Sequence, residues 1–367
     1  MSTAGYFDST GQFYADAAAS TNIRVSDLSA AMASTDVRID ATSTISVDTA
    51  ANFSSRTTGL TMVATSTLTV ASGNMLTTGG ALTLTGSSVT INGAVTSGGT
   101  TLVTSTSSSS GLNTIAANVT NTGVLARTTF KSAGTNATTA AVTVKTNKGP
   151  LVFWADSDGN DSGLNRILAG SVFNTVNGVS TDTATDGGDM VFGGGLTADA
   201  SDYPTGYGFS DGTYAGFDSA TGTCAKTYYY TGGGKFIARG KTASGMDALV
   251  FNCTTQLWAN AGQIDIDGRS TTGAGHAMQL QRGASSTQSE YFSSSDVAPA
   301  IKFAAISNGR FGFISGYNNA TQHVVMIQAT GTGGVQIEGK GGAGDWFDIG
   351  ISGTDILTRG DIRLINQ

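Results

Sequence analysis

The sequence predicts an all-β chain wound as a parallel β-helix (β-solenoid), and three observations lead there. A pattern Gly-x-apolar-x-apolar-x-Gly recurs: "GALTLTG" from Gly80, "GDMVFGG" from Gly188, "GKFIARG" from Gly234, "GQIDIDG" from Gly262 and "GGVQIEG" from Gly333. Apolar residues alternate with small polar ones, the period-2 signature of strands. The 367 residues include 51 Gly and only 3 Pro, with 12% charged yet 39% hydrophobic residues, among them 16 Phe and 10 Tyr. Such a chain has the apolar content that disordered segments lack.

The repeat sets the architecture. Weaker copies start at Gly149 ("GPLVFWA"), Gly309 ("GRFGFIS") and Gly360 ("GDIRLI"), and from Gly234 the starts are separated by 28, 47, 24 and 27 residues. The 47-residue step reads as two shorter ones, giving coils of about 24–28 residues. A fixed period in this range means a solenoid in which each unit covers the apolar face of its neighbour. Second alternating runs, "DALVF" (247–251), "HAMQLQ" (276–281), "HVVMIQ" (323–328) and "WFDIGI" (346–351), imply two or three strands per coil. Phe236, Ile264, Ile266, Val335 and Ile337 should then stack inward, while Lys235, Gln263, Asp265, Asp267 and Gln336 face solvent. Glycines at both ends suit corners.

Three segments follow in order. Residues 1–40 do not fit the repeat; Val25, Leu28 and Met32 have helical spacing, which marks an N-terminal cap or attachment piece, part helical. Residues 41–148 hold shorter Thr/Ser-rich strands such as "STLTVASGNML", with "TSTSSSSG" (104–111) as a flexible loop. Residues 149–367 hold the regular Gly-rich coils. The end, "RGDIRLINQ", carries Ile362 and Leu364 as a fresh strand without a cap. An open strand edge templates another strand. Tyr6, Phe7, Phe13 and Tyr14 of the N-terminal segment are the expected docking piece, so the chain should assemble head to tail with copies of itself.

Charge and composition exclude several classes. The net charge of −7 and the absence of Lys/Arg runs disfavour nucleic acid as a partner. No run of about 18 apolar residues predicts membrane insertion, and the N-terminus shows no Sec signal peptide. Two cysteines are not a disulfide scaffold. However, Cys224 and Cys253 are 29 residues apart, close to one coil, and equivalent positions on adjacent coils lie about 4.8 Å apart. They should be neighbours, bonded or as a stacked pair of thiols.

"GPLVFWADSDG" (149–159), "GGDMVFGGG" with the nearby "GYGF", "GGGKFIARGK" and "AGQIDIDGRSTTGAG" resemble the coils of filamentous-haemagglutinin-type surface adhesins over about residues 149–285. That resemblance implies a right-handed β-helix exported to a bacterial surface. The chain departs from the family in length and in lacking a recognisable secretion domain.

Sites of chemistry are few. Asp156, Asp158 and Asn160 in "DSDGNDSG" have loop-ligand spacing for an ion, but the Gly and twelfth-position carboxylate of a calcium loop are replaced by Asp161 and Ile167. An acidic turn at a coil corner is the simpler reading. Asp265 and Asp267 stand two apart on one strand, about 6–7 Å, near the spacing of inverting glycosidases; outward acids on a solvated strand face are the default. His276 and His323 are 47 residues apart, read as repeat positions two coils apart and too distant to share a zinc ion. No metal, cofactor or catalytic residue is assigned.

The expectation is a non-enzymatic structural or adhesive surface protein, a rigid fibre-forming rod outside a bacterium or on a virion. The alternative is a phage tail fibre or tailspike that binds or cleaves host surface polysaccharide as a hydrolase or lyase. Tyr228, Tyr229, Tyr230 and Trp258 would then form a sugar-stacking surface, although the core could equally claim them.

Overall fold

The computed structural model describes residues 5–7, 12–15, 22–108, 111–176, 185–271, 275–280, 288–316, 325–342 and 348–367. Among them, strands form three sheets of 16, 11 and 11 strands, and, apart from Gly5–Phe7, Gln12–Ala15, Pro204–Gly206 and Gly208–Phe209 of the first sheet, neighbouring members come from successive coils. Every coil therefore contributes one strand to each of three faces, and the coil-to-coil pairing is parallel. The chain is a three-sided parallel β-solenoid.

The first sheet carries the glycine-bounded repeat. Its strands Leu82–Gly86, Leu151–Ala155, Met190–Ala198, Phe236–Thr242, Ile264–Ser270, Val335–Lys340 and Ile362–Asn366 correspond to the copies at Gly80, Gly149, Gly188, Gly234, Gly262, Gly333 and Gly360. The Gly309 copy is the exception. It supplies Phe313–Ser315 of the second sheet, and the first-sheet strand of that coil is Ile301–Ser307. Ile264 pairs with Ile301 and Ile301 with Val335, so the 47-residue step from Gly262 to Gly309 is not two coils. This strand follows Pro299–Ala300 rather than a glycine pair, which hid it from the motif. "HVVMIQ" is likewise displaced: Val325–Ala329 belongs to the third sheet, whereas "DALVF" and "HAMQLQ" contribute to the second. Coil lengths vary because the connections between strands vary, while the strand cross-section stays constant. One coil step takes 19 residues from Leu82 to Thr101, 28 from Phe236 to Ile264 and 46 from Met190 to Phe236.

Side-chain alternation builds the core. Phe236, Ile264, Ile266, Val335 and Ile337 are all buried, and Phe130, Phe153 and Phe192 stack in register from one coil to the next with ring centroids 4.7 and 5.0 Å apart. Ala238 takes the next place in that row, and Phe236, two residues earlier on the same inward face of its strand, fills the space with its ring 5.8 Å from Phe192. A large residue beside a small one keeps the interior close-packed. Polar interior positions are paired along the axis: Asn113 donates to Asn136, and Asn136 to Asn165, at 2.8 and 3.1 Å. The run 104–111 is shorter as a loop than its composition suggests, because Thr101–Ser105 is a strand.

The N-terminal end is built differently. The helix Val25–Ala31 buries Leu28, and Met32 just after it, against the first coil. Gly5–Phe7 and Gln12–Ala15 form an antiparallel pair, and Gln12–Ala15 adds in parallel to Val37–Ala41, with Phe13 opposite Ile39. The backbone carrying Tyr6, Phe7, Phe13 and Tyr14 thus extends the first sheet at the opposite end from Ile362 and Leu364.

Candidate functional site: an aromatic groove on the third sheet

Strand alternation divides the tyrosine triplet. In Thr227–Tyr230, Tyr229 points inward with no exposed surface, stacks on Phe173 at 5.3 Å and shares a hydrogen bond with Ser219 (2.7 Å). It belongs to the core, so it drops out of the sugar-stacking set. Tyr228 and Tyr230 alternate to the outer side, with ring centroids 5.8 Å apart, but Tyr230 is covered there and only 8% exposed. Tyr230 is in register with Trp258 on the next coil, and Trp258 with Phe292 on the one after. Their alignment produces an outer row Tyr230–Trp258–Phe292, the first two rings 5.4 Å apart.

Trp258 and Phe292 edge a groove of about 330 Å³, lined also by Glu290, Met326 and Gln328 over a floor that includes the inward Tyr291. Glu290 stands beside the aromatics because it precedes Tyr291 and shares the outward row of Gln256 and Met326. Gln256 donates from Nε2 to Glu290 Oε2 at 2.9 Å, which fixes one carboxylate oxygen. Phe292, Glu290, Met326 and Gln328 were not singled out from sequence. The available signal was the alternation of "SEYFS", with Tyr291 inward and Phe292 outward, but its alignment with Trp258 requires the coil register.

The other sequence-derived candidates are placed elsewhere. Asp265 and Asp267 are on the outer face of the first sheet. Asp267 accepts from Arg269 Nε and Nη2 (2.6 and 2.9 Å) and from the Tyr207 hydroxyl (2.9 Å), so both oxygens are engaged. Burial pushes the Asp265 carboxyl up, against the opposing pull of Arg239 and Lys302. This pair is held as part of a charged lattice. Nearby, Tyr203 and Pro204 fold over the same sheet; Tyr203 packs with Val152, Trp154 and Val191, and Trp154 Nε1 donates to the Gly195 carbonyl at 2.7 Å. That cover explains why every residue of Leu151–Ala155 is buried.

Asp156 is buried, with positive φ, and its Oδ1 accepts from the backbone N–H of Asn160 (3.0 Å) and Ser162 (3.3 Å). Burial raises its carboxyl to about 6 although these N–H bonds pull the other way. Asn160 donates to Asp158 Oδ2 at 3.0 Å, so Asp156, Asp158 and Asn160 organise a turn. Among the described residues no cluster of three or more His, Cys, Asp or Glu could hold a metal ion. Cys224 and Cys253 are disulfide-bonded across adjacent coils, with Cα atoms 5.3 Å apart. The His276 backbone N–H donates to Asp247 Oδ1 at 2.9 Å, and the imidazole lies 5.2 Å from the Phe311 ring; His323 is outside the described residues.

Fold and site define a class: a three-sided parallel β-solenoid with a lateral aromatic groove. Comparison with family models, curated proteins and solved structures finds no match to this chain.

Proposed function

We propose that this protein is a non-enzymatic adhesive rod, displayed outside a bacterium or on a virion, which holds a surface ligand against the third sheet. The observation that carries this reading is the outward pair Trp258 and Phe292, partly exposed and aligned across two coils of a rigid scaffold beside the groove. Large aromatics are normally spent on the interior, and an aligned outer row beside a groove is a contact surface. Eleven coils at about 4.8 Å each make a rod about 50 Å long, a shape suited to display. The disulfide near this face, with Cys224 exposed, fits an oxidising compartment. The likeness to filamentous-haemagglutinin-type adhesins is part of the same reading.

Self-association belongs to the proposal. Ile362 and Leu364 continue the inward rows of Val335 and Ile337 but are 50% and 57% exposed, so a strand from another copy would gain core contacts there.

The test is binding of labelled protein to isolated envelopes from a panel of bacteria, with Trp258→Ala as control. Retention by at least one envelope, lost in the variant, is the expected result. Equal retention of the variant, or none on any envelope, overturns the reading. For assembly, light scattering should show a size that grows with concentration and falls in Leu364→Lys; a monomer at all concentrations refutes it.

A further inference from the structure

We infer that the groove takes a neutral polysaccharide chain lying along the solenoid axis, with successive sugar rings against Trp258 and Phe292; this rests on the adhesive reading above. The row crosses the strands at right angles, and its members repeat at the strand spacing of about 4.8 Å. A linear polymer of ring-sized units meets that spacing with one unit near each aromatic. The apolar C–H face of a pyranose is complementary to the electron-rich face of an aromatic ring.

Polar groups beside the row suit hydroxyls. Glu290 has one oxygen held by Gln256, which leaves Oε1 to accept, and Gln328 offers both an amide donor and a carbonyl acceptor. The groove volume of about 330 Å³ is at the small end for ligand sites and fits a short run of sugar rings.

Charge selects among polymers. Among the described residues the groove lining contains Glu290 and no Lys or Arg, Asp355 follows Met326 in the same outward row, and the chain carries −7 overall. Lys226 lies over Tyr228, outside the groove lining. Sulfated glycans, polyuronates and nucleic acids would all meet repulsion, since single strands need a basic groove as well as stacking. An extended peptide is disfavoured for another reason. Ser289–Ser293 is paired on both sides, so the groove offers no free strand edge for main-chain addition.

The experiment applies the full chain and its Trp258→Ala, Phe292→Ala and Glu290→Gln variants to an array of neutral, amino, uronic and sulfated polysaccharides. Circular dichroism confirms that each variant is folded. Binding to at least one neutral glycan should weaken about tenfold or more in each aromatic variant. Glu290→Gln should bring anionic glycans closer to the neutral ones in affinity. No neutral glycan bound, tighter binding of anionic ones by the unmodified chain, or an unchanged Trp258→Ala variant overturns the inference. Periodate treatment of the envelopes separates the two proposals. Adhesion that needs Trp258 but survives periodate and is lost to protease sinks the glycan inference alone; adhesion independent of Trp258 sinks the adhesive reading as well.

Discussion

Gly262 passes directly over Gly234: a β-carbon on Gly262 would lie 1.9 Å from the Gly234 carbonyl oxygen. Neither residue has positive φ, so close approach of two corners, rather than backbone conformation, demands glycine here. Gly262→Ala must push two coils apart and should cost about 3 kcal/mol. Urea denaturation would show it as a lower midpoint; an unchanged midpoint would mean the corner can relax.

Phe153 lies between Phe130 and Phe192 in the interior stack. Truncation to Ala leaves a cavity and should cost about 4 kcal/mol. In a solenoid the damage falls on neighbouring coils first. Hydrogen exchange should therefore quicken around Thr128–Ser132 and Met190–Ala198 while the terminal coils are spared.

Asp156 gives the stability a pH dependence of known sign. Its carboxyl is raised from 3.8 to about 6, so between those values the folded chain holds a proton that the unfolded chain releases. This contribution makes stability fall as pH rises through that window and levels off above it. Asn tolerates the positive φ of 47° and still accepts both N–H bonds. Asp156→Asn should thus match the unmodified protein near pH 4 and exceed it in melting temperature at pH 7 and above. A variant less stable at pH 7 would contradict the assignment.

Cys224 and Cys253 close a loop whose ends are 29 residues apart. Replacing both by Ala should lower stability by about 3 kcal/mol, and reductant should do the same to the unmodified chain. Mass mapping of peptides should find the pair linked before reduction; freely alkylated thiols at both positions would refute the bond.

The sequence by itself determined the winding. Glycine-bounded alternation is a local property, so "GKFIARG" and "GQIDIDG" announce strands and corners wherever they lie, and Phe236 and Ile264 could be assigned inward from parity alone. The cysteine pairing was half legible, since one coil's separation brings the two residues together but does not form the bond. Tertiary structure decided the rest, because coil length varies while strand register does not. The insertion between Met190 and Phe236, and the proline-led strand at Ile301, change the residue count per coil without changing which strands pair. No fixed period could therefore bring Phe292 beside Trp258 or place the Gly309 copy in its sheet. The alignment of Tyr230, Trp258 and Phe292 arises only when hydrogen-bonded strands lock the coils in register, and with it the groove that Glu290 and Gln328 complete.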